Sequence, residues 1–326
     1  MRWVVLTDDH PPLMGGVAAF TGRVVAGLRA AGHEVSVFAR ARPGLPSDGV
    51  HGVIGPRFGR HAGTWLGLRA VGAIRGADRV LATTWVAGTF AARLPVPLDV
   101  VAHGSDVTRP PVRPAAFSRV WAAADRRFAL SAFLAGAAGG AVVLPAPVHI
   151  APDPVAPARS GTWGLVARAT PWKGGGRFVR LCAAAGVRGV VVGDGPALPQ
   201  WRALASSIGA PVRFLGALPP GAVRDVLVGL DAVFLLPRAR PDGSGAEGLG
   251  LALIEAAALG VPAVGCDTGG VSEAVGPGLI LADPDDARAS AAQVQDWLRP
   301  SRGGRAWSWC RQQHGVDRTV AALASF

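Results

Sequence analysis

The segment Gly243-Ser244-Gly245-Ala246-Glu247-Gly248-Leu249-Gly250 runs directly into the apolar stretch Leu251–Gly260. A strand-length apolar run precedes it and ends at Leu236. A buried strand, a glycine-rich loop and an apolar helix in this order predict one unit of a parallel α/β sheet. We expect the helix to begin near Gly248, so that the backbone N–H groups of residues 248–250 face an oxygen-rich anion or a sugar.

Two carboxylates stand out in this segment. Glu247 lies at the expected helix start, and Glu255 follows eight residues later within Leu251-Ala252-Leu253-Ile254-Glu255-Ala256. This spacing is a little over two helical turns, so we expect both side chains on one side of the helix. A carboxylate in apolar surroundings needs a partner, which favours a binding role for Glu255. The alternative is that Glu247 stabilises a helix start and Glu255 is solvated.

Apolar runs of strand length alternate with helical stretches along almost the whole chain, which predicts helical crossovers between parallel strands buried on both faces. Helices are expected at Val17–Ala31 and Trp85–Arg93, among others. The expected strands are Trp3–Thr7, Glu34–Ala39, Arg79–Thr83, Leu98–Ala102, Arg126–Leu130, Ala141–Leu144, Trp163–Ala167, Val187–Val192, Val212–Leu215, Ala232–Leu236, Val261–Gly265 and Leu279–Leu281.

A proline-rich stretch from Pro145 to Pro157 interrupts this pattern, because neither a helix nor a strand persists through so many prolines. We therefore predict an N-terminal acceptor-binding Rossmann-like domain (1–146), a linker (147–159) and a C-terminal donor-binding Rossmann-like domain (160–304). A C-terminal helix (305–326) is expected to pack back toward the first domain. Ligands of such sheets bind beyond the carboxyl ends of the strands, and two facing domains would enclose a cleft.

Lysine occurs once among the 33 basic residues, at Lys173, which follows an apolar strand and Arg168 and precedes a glycine run that opens a helix. A lysine ammonium is a compact point charge that meets phosphate oxygens end-on, unlike the planar guanidinium. Two cations at a strand exit beside a helix N-terminus predict an anion site. The alternative is a surface lysine at a helix cap.

Composition limits the remaining possibilities. The chain has 326 residues and a formal net charge of +11, which suits acidic partners such as nucleotides, but its arginines are dispersed and give little support for nucleic acid. Three widely separated cysteines and an N-terminus unlike a signal peptide predict free thiols in a reducing, cytoplasmic setting. The stretch 57–69 could form an interfacial membrane helix, although we favour a core helix.

The motifs together resemble the family-four retaining glycosyltransferases of the GT-B fold. The resemblance rests on Glu247 and Glu255 in a Glu-x7-Glu pattern, with Lys173-Gly174 upstream. Around these anchors the family order is kept by Gly193-Asp194-Gly195-Pro196, Phe214-Leu215-Gly216 and Thr268-Gly269-Gly270. The loop 238–243 and Trp307-Ser308-Trp309 resemble the mannosyltransferase-like branch. A departure occurs at Ala146-Pro147-Val148-His149, where many relatives carry Asn-Gly-Val-Asp.

The resemblance implies a role for each matching residue. Arg168 and Lys173 would bind the donor diphosphate, and Glu255 would bind the nucleotide ribose. Glu247 would hold the donor sugar together with the N–H groups near the helix start (Gly248, Leu249, Gly250). The nucleotide pocket would be lined by Gly193, Asp194 and Leu215.

Two further candidates lie in the first half of the chain. Gly15-Gly16 precedes a helix, and in the family such a pair approaches the donor phosphates, whereas the alternative is a tight turn without a ligand. His103 leaves a buried strand at its carboxyl end within His103-Gly104-Ser105-Asp106, where it resembles the family's active-site histidine.

The resemblance implies retaining transfer of a sugar from a GDP- or UDP-linked donor to a small-molecule acceptor. We also expect transfer without a metal ion, because Arg168 and Lys173 would take its place at the diphosphate. The nucleotide sugar is a substrate, so no cofactor is expected, nor a nucleic-acid partner. The alternatives are a membrane-associated enzyme with a lipid acceptor, a phosphorylase or epimerase of the same fold, a nucleotide-binding protein and a nucleic-acid-binding module. A dinucleotide-dependent oxidoreductase is disfavoured because neither the Gly15 loop nor the Gly193 loop has a Gly-x-Gly-x-x-Gly pattern.

Overall fold

The computed structural model describes residues 1–54, 62–104, 106–108, 114–155, 160–239 and 246–325. They form two compact units. The first comprises Met1–Pro147 together with Val316–Phe326, and the second comprises Val148–Gly315.

The first unit is built on a seven-stranded parallel sheet with the order β3-β2-β1-β4-β5-β6-β7. The strand Leu98–Ala102 of this sheet is buried along its whole length, because helices cover both faces. The strands are β1 (Arg2–Thr7), β2 (Glu34–Arg40), β3 (Val50–Val53), β4 (Arg79–Ala82), β5 (Leu98–Ala102), β6 (Arg126–Ala129) and β7 (Val142–Val143). The helices are α1 (Gly16–Ala30), α2 (Ala62–Arg75), α3 (Pro114–Ala123) and α4 (Ala132–Ala137).

The second unit repeats this architecture with a six-stranded parallel sheet in the order β10-β9-β8-β11-β12-β13. Trp163, Phe178 and Phe234 are almost fully buried and pack together at its centre. The strands are β8 (Thr162–Val166), β9 (Arg188–Val192), β10 (Val212–Gly216), β11 (Ala232–Leu235), β12 (Ala263–Cys266) and β13 (Leu279–Leu281). The helices are α5 (Gly175–Ala185), α6 (Leu198–Ser207), α7 (Pro220–Val228), α8 (Leu251–Ala257), α9 (Val271–Val275), α10 (Ala287–Trp297) and α11 (Ser301–Gln313).

The C-terminal helix α12 (Val316–Ala324) returns to the first unit and packs on α1. Arg126 donates to the Leu323 carbonyl at 2.7 Å, and the Thr319 hydroxyl donates to the Pro145 carbonyl at 2.8 Å. The chain passes from the second unit to the first between Gly315 and Val316, since the preceding helix α11 belongs to the second unit. The two parallel-sheet domains and the returning helix confirm the predicted architecture.

Part of the predicted linker is packed against the second unit. The N–H groups of Ala151 and Val155 donate to the carbonyls of Ala258 and Leu259 at 3.0 and 2.8 Å. Trp307 adds a bond from its indole nitrogen to the Ala151 carbonyl at 2.9 Å. Residues 156–159 of that predicted segment lie outside the described residues.

Two elements differ from expectation. Strand β3 was not predicted, because it is short and its polar His51 and Gly52 interrupt the apolar run. The helix predicted at Trp85–Arg93 is wrong, since this stretch forms two 3-10 turns, Ala87–Thr89 and Ala91–Arg93. Three alanines and a glycine there are compatible with either conformation, so periodicity could not separate a helix from 3-10 turns.

Candidate active site

In each sheet the strand order reverses once, near the centre. Candidate residues follow the strands at these two points. In the second unit the order reverses between β8 and β11, which are neighbours although the chain visits β9 and β10 between them. A crevice forms beyond the carboxyl ends of strands at such a switch point, where ligands of open α/β sheets bind. Arg168 and Lys173 follow β8, and Glu247 follows β11.

Lys173 ends a 3-10 turn, Pro171–Lys173, and Gly174 then caps α5 in the left-handed conformation (φ 79°). The Lys173 ammonium forms an ion pair with the Glu247 carboxylate, and both side chains are largely buried, at 16% and 11% exposure. The same ammonium lies 4.6 Å from the centre of the Trp172 ring. The structure therefore brings Lys173, which is predicted to bind the donor diphosphate, into direct contact with Glu247, which is predicted to bind the donor sugar.

Glu247 is held through its backbone by the Thr268-Gly269-Gly270 turn. The Gly270 N–H donates to the Glu247 carbonyl at 2.8 Å. Gly269 has a φ of +63°, and a Cβ there would lie 2.2 Å from the same carbonyl oxygen. The two glycines allow this close approach, and it fixes the carboxylate next to Lys173.

The predicted helix start near Gly248 is wrong. Helix α8 begins at Leu251, because Gly250 adopts a φ of 97° that no helical residue has. Gly248, Leu249 and Gly250 therefore precede the helix as a buried, non-helical segment, and Glu247 does not share a helical face with Glu255. Glu255 lies half-buried in α8 between the buried Ile254 and Ala256. The ligand roles of these residues stay predictions. The preceding loop, residues 240–245, lies outside the described residues.

The glycines after β9 support the loop that carries Arg168. A Cβ on Gly193 would lie 1.9 Å from the Ala167 carbonyl oxygen, and one on Gly195 would lie 2.5 Å from that of Ala169. The Ala169 N–H donates to the Asp194 carbonyl at 2.9 Å, and the Asp194 side chain caps the Gly195 N–H at 2.7 Å.

Arg168 itself is exposed, and Leu215 is half-buried at the end of β10. The N–H of Gly193 donates to the carbonyl of Gly216, the residue after Leu215, at 2.7 Å. The chain segments at the carboxyl ends of β8, β9 and β10 are therefore hydrogen-bonded to one another. Gly193 and Asp194 act there through backbone and turn contacts within the protein, and their predicted contact with a nucleotide stays a prediction.

In the first unit the sheet order reverses between β1 and β4, and Gly15-Gly16 follows β1. Gly15 has a φ of 150°, so its conformation alone requires glycine. Gly16 is the first residue of α1, and a Cβ on it would meet nothing within 4 Å. Neither packing nor backbone conformation requires a glycine at position 16. The missing side chain leaves open space at the start of α1, which an anion site needs.

His103 follows β5 at the same edge of the first sheet. Its ring packs edge-on against Phe20 of α1, with 4.6 Å between centroids. Its Nε2 atom is buried and, among the described residues, has no hydrogen-bond partner. Burial lowers the pKa of His103 to about 3, so the imidazole is neutral at physiological pH.

Asp106 organises the His103 loop. Its carboxylate accepts the N–H groups of His103 (3.1 Å) and Gly104 (2.7 Å), and its carbonyl accepts the Trp85 indole N–H at 2.9 Å. Burial raises the pKa of Asp106, although the backbone donors oppose this shift. Ser105, the remaining member of the motif, lies outside the described residues.

Sequence reasoning missed three charged residues close to Lys173. Arg177 in α5 and Arg238 after β11 both bond to Asp285, which follows β13. The sequence signal for Asp285 was the triplet Asp283-Pro284-Asp285, a pattern that often marks a divalent metal site. Here the Asp285 carboxylate is occupied by the two arginines, and Asp283 caps the Asp285 N–H at 2.9 Å.

The part of the chain that the structure describes holds neither a metal-binding cluster nor a membrane-spanning helix. Within that part of the chain, no group of three or more His, Cys, Asp or Glu side chains is arranged to hold a metal ion. No helix of the described segments is both long enough and apolar enough to cross a membrane. Cys182, Cys266 and Cys310 are free and buried, and burial raises the pKa of Cys182 and Cys310 to about 12.

Solved structures of other proteins share the architecture of this chain. The chain superposes over its full length on Anabaena Alr3699/HepE in complex with UDP-glucose, with a TM-score of 0.76, 19% identity and 100% of both chains covered. It also superposes on AviGT4, a glycosyltransferase of avilamycin A biosynthesis, with a TM-score of 0.71 and 22% identity, covering 99% of this chain and 96% of that one. The fold is that of the GT-B glycosyltransferases.

Sequence comparisons identify the family. The model of glycosyl transferases group 1 matches residues 153–306, and that of Glycosyltransferase Family 4 matches residues 14–159. A GDP-mannose-dependent α-(1-6)-phosphatidylinositol monomannoside mannosyltransferase of Mycobacterium tuberculosis is 30% identical, covering 100% of this chain and 97% of the relative. The 2-deoxystreptamine N-acetyl-D-glucosaminyltransferase of Streptomyces fradiae is 34% identical over 155 residues, 43% of this chain and 35% of the relative.

The chain belongs to the family-four glycosyltransferases, and it is an enzyme that uses a nucleotide sugar. This membership confirms the resemblance seen in the sequence. It replaces the alternative interpretations as an oxidoreductase or a nucleic-acid-binding module.

Proposed function

We propose that the protein transfers a mannosyl unit from GDP-mannose to a phosphatidylinositol mannoside or a similar lipid acceptor, with retention and without a divalent ion. The observation that carries this proposal is the match of the whole chain, at 30% identity, to a mycobacterial enzyme of that activity. Two features of the structure support its separate parts.

The donor chemistry is supported by the Lys173–Glu247 pair at the β8–β11 switch point. Lys173, with Arg168 at the same strand exit, would neutralise the charge that grows on the diphosphate as the anomeric bond breaks. Glu247 would accept hydrogen bonds from sugar hydroxyls. These cations are part of the protein, so they would supply the positive charge that a divalent ion supplies in other transferases.

The lipid acceptor is supported by the outer face of α2. Trp65 and Leu68 are 44% and 47% exposed there, beside the exposed Arg69 and Arg75. The opposite face carries the buried Leu66, Ala70 and Ile74 and packs on the first sheet. Apolar side chains between arginines suit the interface of an anionic lipid surface. This exposed face shifts the preference from the small-molecule acceptor expected from sequence to a lipid. Residues 57–61 of the basic stretch lie outside the described residues.

The test is a transfer assay with the purified protein. Vesicles containing phosphatidylinositol monomannoside are incubated with GDP-mannose, and the lipid products are analysed by mass spectrometry. We expect a dimannoside product. UDP-glucose and UDP-N-acetylglucosamine as donors should give at least about tenfold less product. Absence of any mannosylated lipid, with a different donor or acceptor converted, would refute the proposal.

A matched pair of variants tests the α2 face. Leu68→Ser should weaken vesicle binding and lipid transfer, because it removes an exposed apolar side chain from the basic face of α2. Ile208→Ser removes a side chain of similar exposure, 44%, from the second unit and should change neither. Equal effects of both substitutions would contradict a membrane role for α2.

A second candidate is transfer to an aminocyclitol or a similar small molecule. The observation in its favour is the 34% identity to the 2-deoxystreptamine N-acetyl-D-glucosaminyltransferase over 43% of this chain. The same assay decides between the two candidates when 2-deoxystreptamine with UDP-N-acetylglucosamine replaces the lipid and its donor. Conversion of 2-deoxystreptamine without any lipid product would favour this second candidate.

A further inference from the structure

Asp285 joins two arginines that belong to different elements of the second unit. Its carboxylate accepts bonds from the Nε and Nη2 atoms of Arg177 in α5 at 3.0 and 2.6 Å. It also accepts a bond from Arg238, which follows β11. Hydrogen bonding from Arg177, and then from Arg238, lowers the pKa of Asp285 to about 2, so the carboxylate is ionised at physiological pH.

The third nitrogen of Arg177 is used as well. Its Nη1 atom donates to the carbonyls of Leu236 (3.2 Å) and Pro237 (2.6 Å), just beyond the end of β11. The side chain of Arg177 is only 11% exposed. All three nitrogens of this largely buried guanidinium bond to protein oxygens and fix those oxygens in place.

The Lys173 loop rests on Leu236 and Arg238, which follow β11. The backbone of Gly174 approaches the Leu236 carbonyl so closely that a Cβ on Gly174 would lie 1.9 Å from its oxygen. The N–H of Arg238 donates to the Trp172 carbonyl at 2.8 Å. The position of Trp172–Gly174 is therefore set by residues 236–238, and these are held by Arg177 and Asp285.

We propose that Arg177 and Asp285 are positioning residues, which hold the exit of β11 and through it fix the Lys173 ammonium on the donor diphosphate. This inference rests on the proposed role of Lys173. Neither residue acts on the donor directly. Electrostatic stabilisation of a transition state depends on charges that are fixed before the reaction, so a small displacement of Lys173 should slow transfer more than it weakens donor binding.

The main variant is Asp285→Asn, which removes the charge and keeps the shape. We expect kcat to fall about tenfold or more, with the KM for the nucleotide sugar changed less than about threefold. The control is Asp296→Asn, which alters the exposed Arg299–Asp296 pair at the end of α10 (3.1 Å) and should leave both constants unchanged. Arg177→Lys keeps the charge but loses the forked contacts, so it should reproduce the fall in kcat.

The deciding measurement repeats Asp285→Asn in a Lys173→Ala background under single-turnover conditions. Because Asp285 is proposed to act through Lys173, adding Asp285→Asn to the Lys173→Ala variant should slow transfer by less than about twofold. A tenfold loss that is fully retained in this background would overturn the proposal, as would full activity of Asp285→Asn and Arg177→Lys. Should Asp285→Asn not fold, Arg177→Lys in the same background takes its place. If the wild-type protein converts no nucleotide sugar, the proposed function itself has failed.

Discussion

The Lys173 ammonium forms an ion pair with the Glu247 carboxylate. The residues are 74 positions apart in sequence and follow the neighbouring strands β8 and β11. Both side chains are largely buried, so separating them leaves two poorly solvated charges. A nucleotide sugar can satisfy both, with phosphate oxygens for Lys173 and hydroxyls for Glu247, whereas a sugar-free nucleotide can satisfy only Lys173.

This pairing predicts that Glu247→Gln binds GDP more tightly than the wild-type protein does. The neutral amide releases Lys173, so the diphosphate no longer displaces a carboxylate. We expect roughly a tenfold gain in affinity for GDP, about 1.4 kcal/mol, and a loss of affinity for GDP-mannose. Titration calorimetry with both ligands measures the two changes. An unchanged or weaker affinity for GDP would contradict the competition between the diphosphate and Glu247.

The Lys173–Glu247 pair also shows what the sequence could not predict. Continuous apolar runs such as Ala232–Leu236 identified the buried strands, because parallel sheets covered on both faces leave that pattern. The start of α8 was misplaced, since the φ of Gly250 is not encoded in local periodicity. The contact between Lys173 and Glu247 depends on the strand order β8-β11, which becomes visible only when the sheet is assembled.

The tight backbone approach at Gly193 predicts a large loss of stability for Gly193→Ala. Its φ of 126° disfavours any side chain, and a Cβ would lie 1.9 Å from the Ala167 carbonyl oxygen. We expect a fall of about 1–3 kcal/mol or more in the free energy of unfolding. Gly221→Ala in α7 is the control, because a Cβ there meets nothing within 4 Å and alanine favours the helix. Urea denaturation measures both, and equal effects would contradict the packing role of Gly193.

The lowered pKa of His103 predicts a pH-dependent contribution to stability. Burial lowers this pKa from 6.5 to about 3, so between these values the unfolded chain binds a proton that the folded protein does not. The free energy of unfolding should therefore fall as the pH drops below 6.5, by about 1.4 kcal/mol per pH unit for this group. His103→Gln should lose that component. His314, whose pKa is lowered to about 4, and Asp106 are present in both proteins, so the difference between their pH profiles isolates His103.

Metal independence is a separate prediction of the proposed function. With Lys173 and Arg168 supplying the positive charge at the diphosphate, EDTA should leave the transfer rate within about twofold. Asp283-Pro284-Asp285 should not recruit a metal, because the Asp285 carboxylate already binds Arg177 and Arg238. Loss of activity in EDTA that Mg²⁺ or Mn²⁺ restores would show that the cations of the protein do not suffice.

The stereochemical prediction follows from the search for a general base. Inversion needs a group that takes the acceptor proton opposite the leaving group. His103 is a poor base because burial lowers its pKa to about 3, and the carboxylate of Asp106 accepts the N–H groups of His103 and Gly104. Asp8 is the stronger rival, since burial raises its pKa and its Oδ1 atom is buried without a hydrogen-bond partner among the described residues.

We expect retention, with a phosphate oxygen of the departing diphosphate taking the acceptor proton on the face from which it leaves. GDP-α-mannose should therefore give an α-linked product, and Asp8→Asn should keep both this configuration and most of the activity. The anomeric one-bond C–H coupling in the product NMR spectrum measures the configuration, and the transfer assay measures the variant. A β-linked product, together with an inactive Asp8→Asn variant that still binds donor, would identify Asp8 as the base of an inverting reaction.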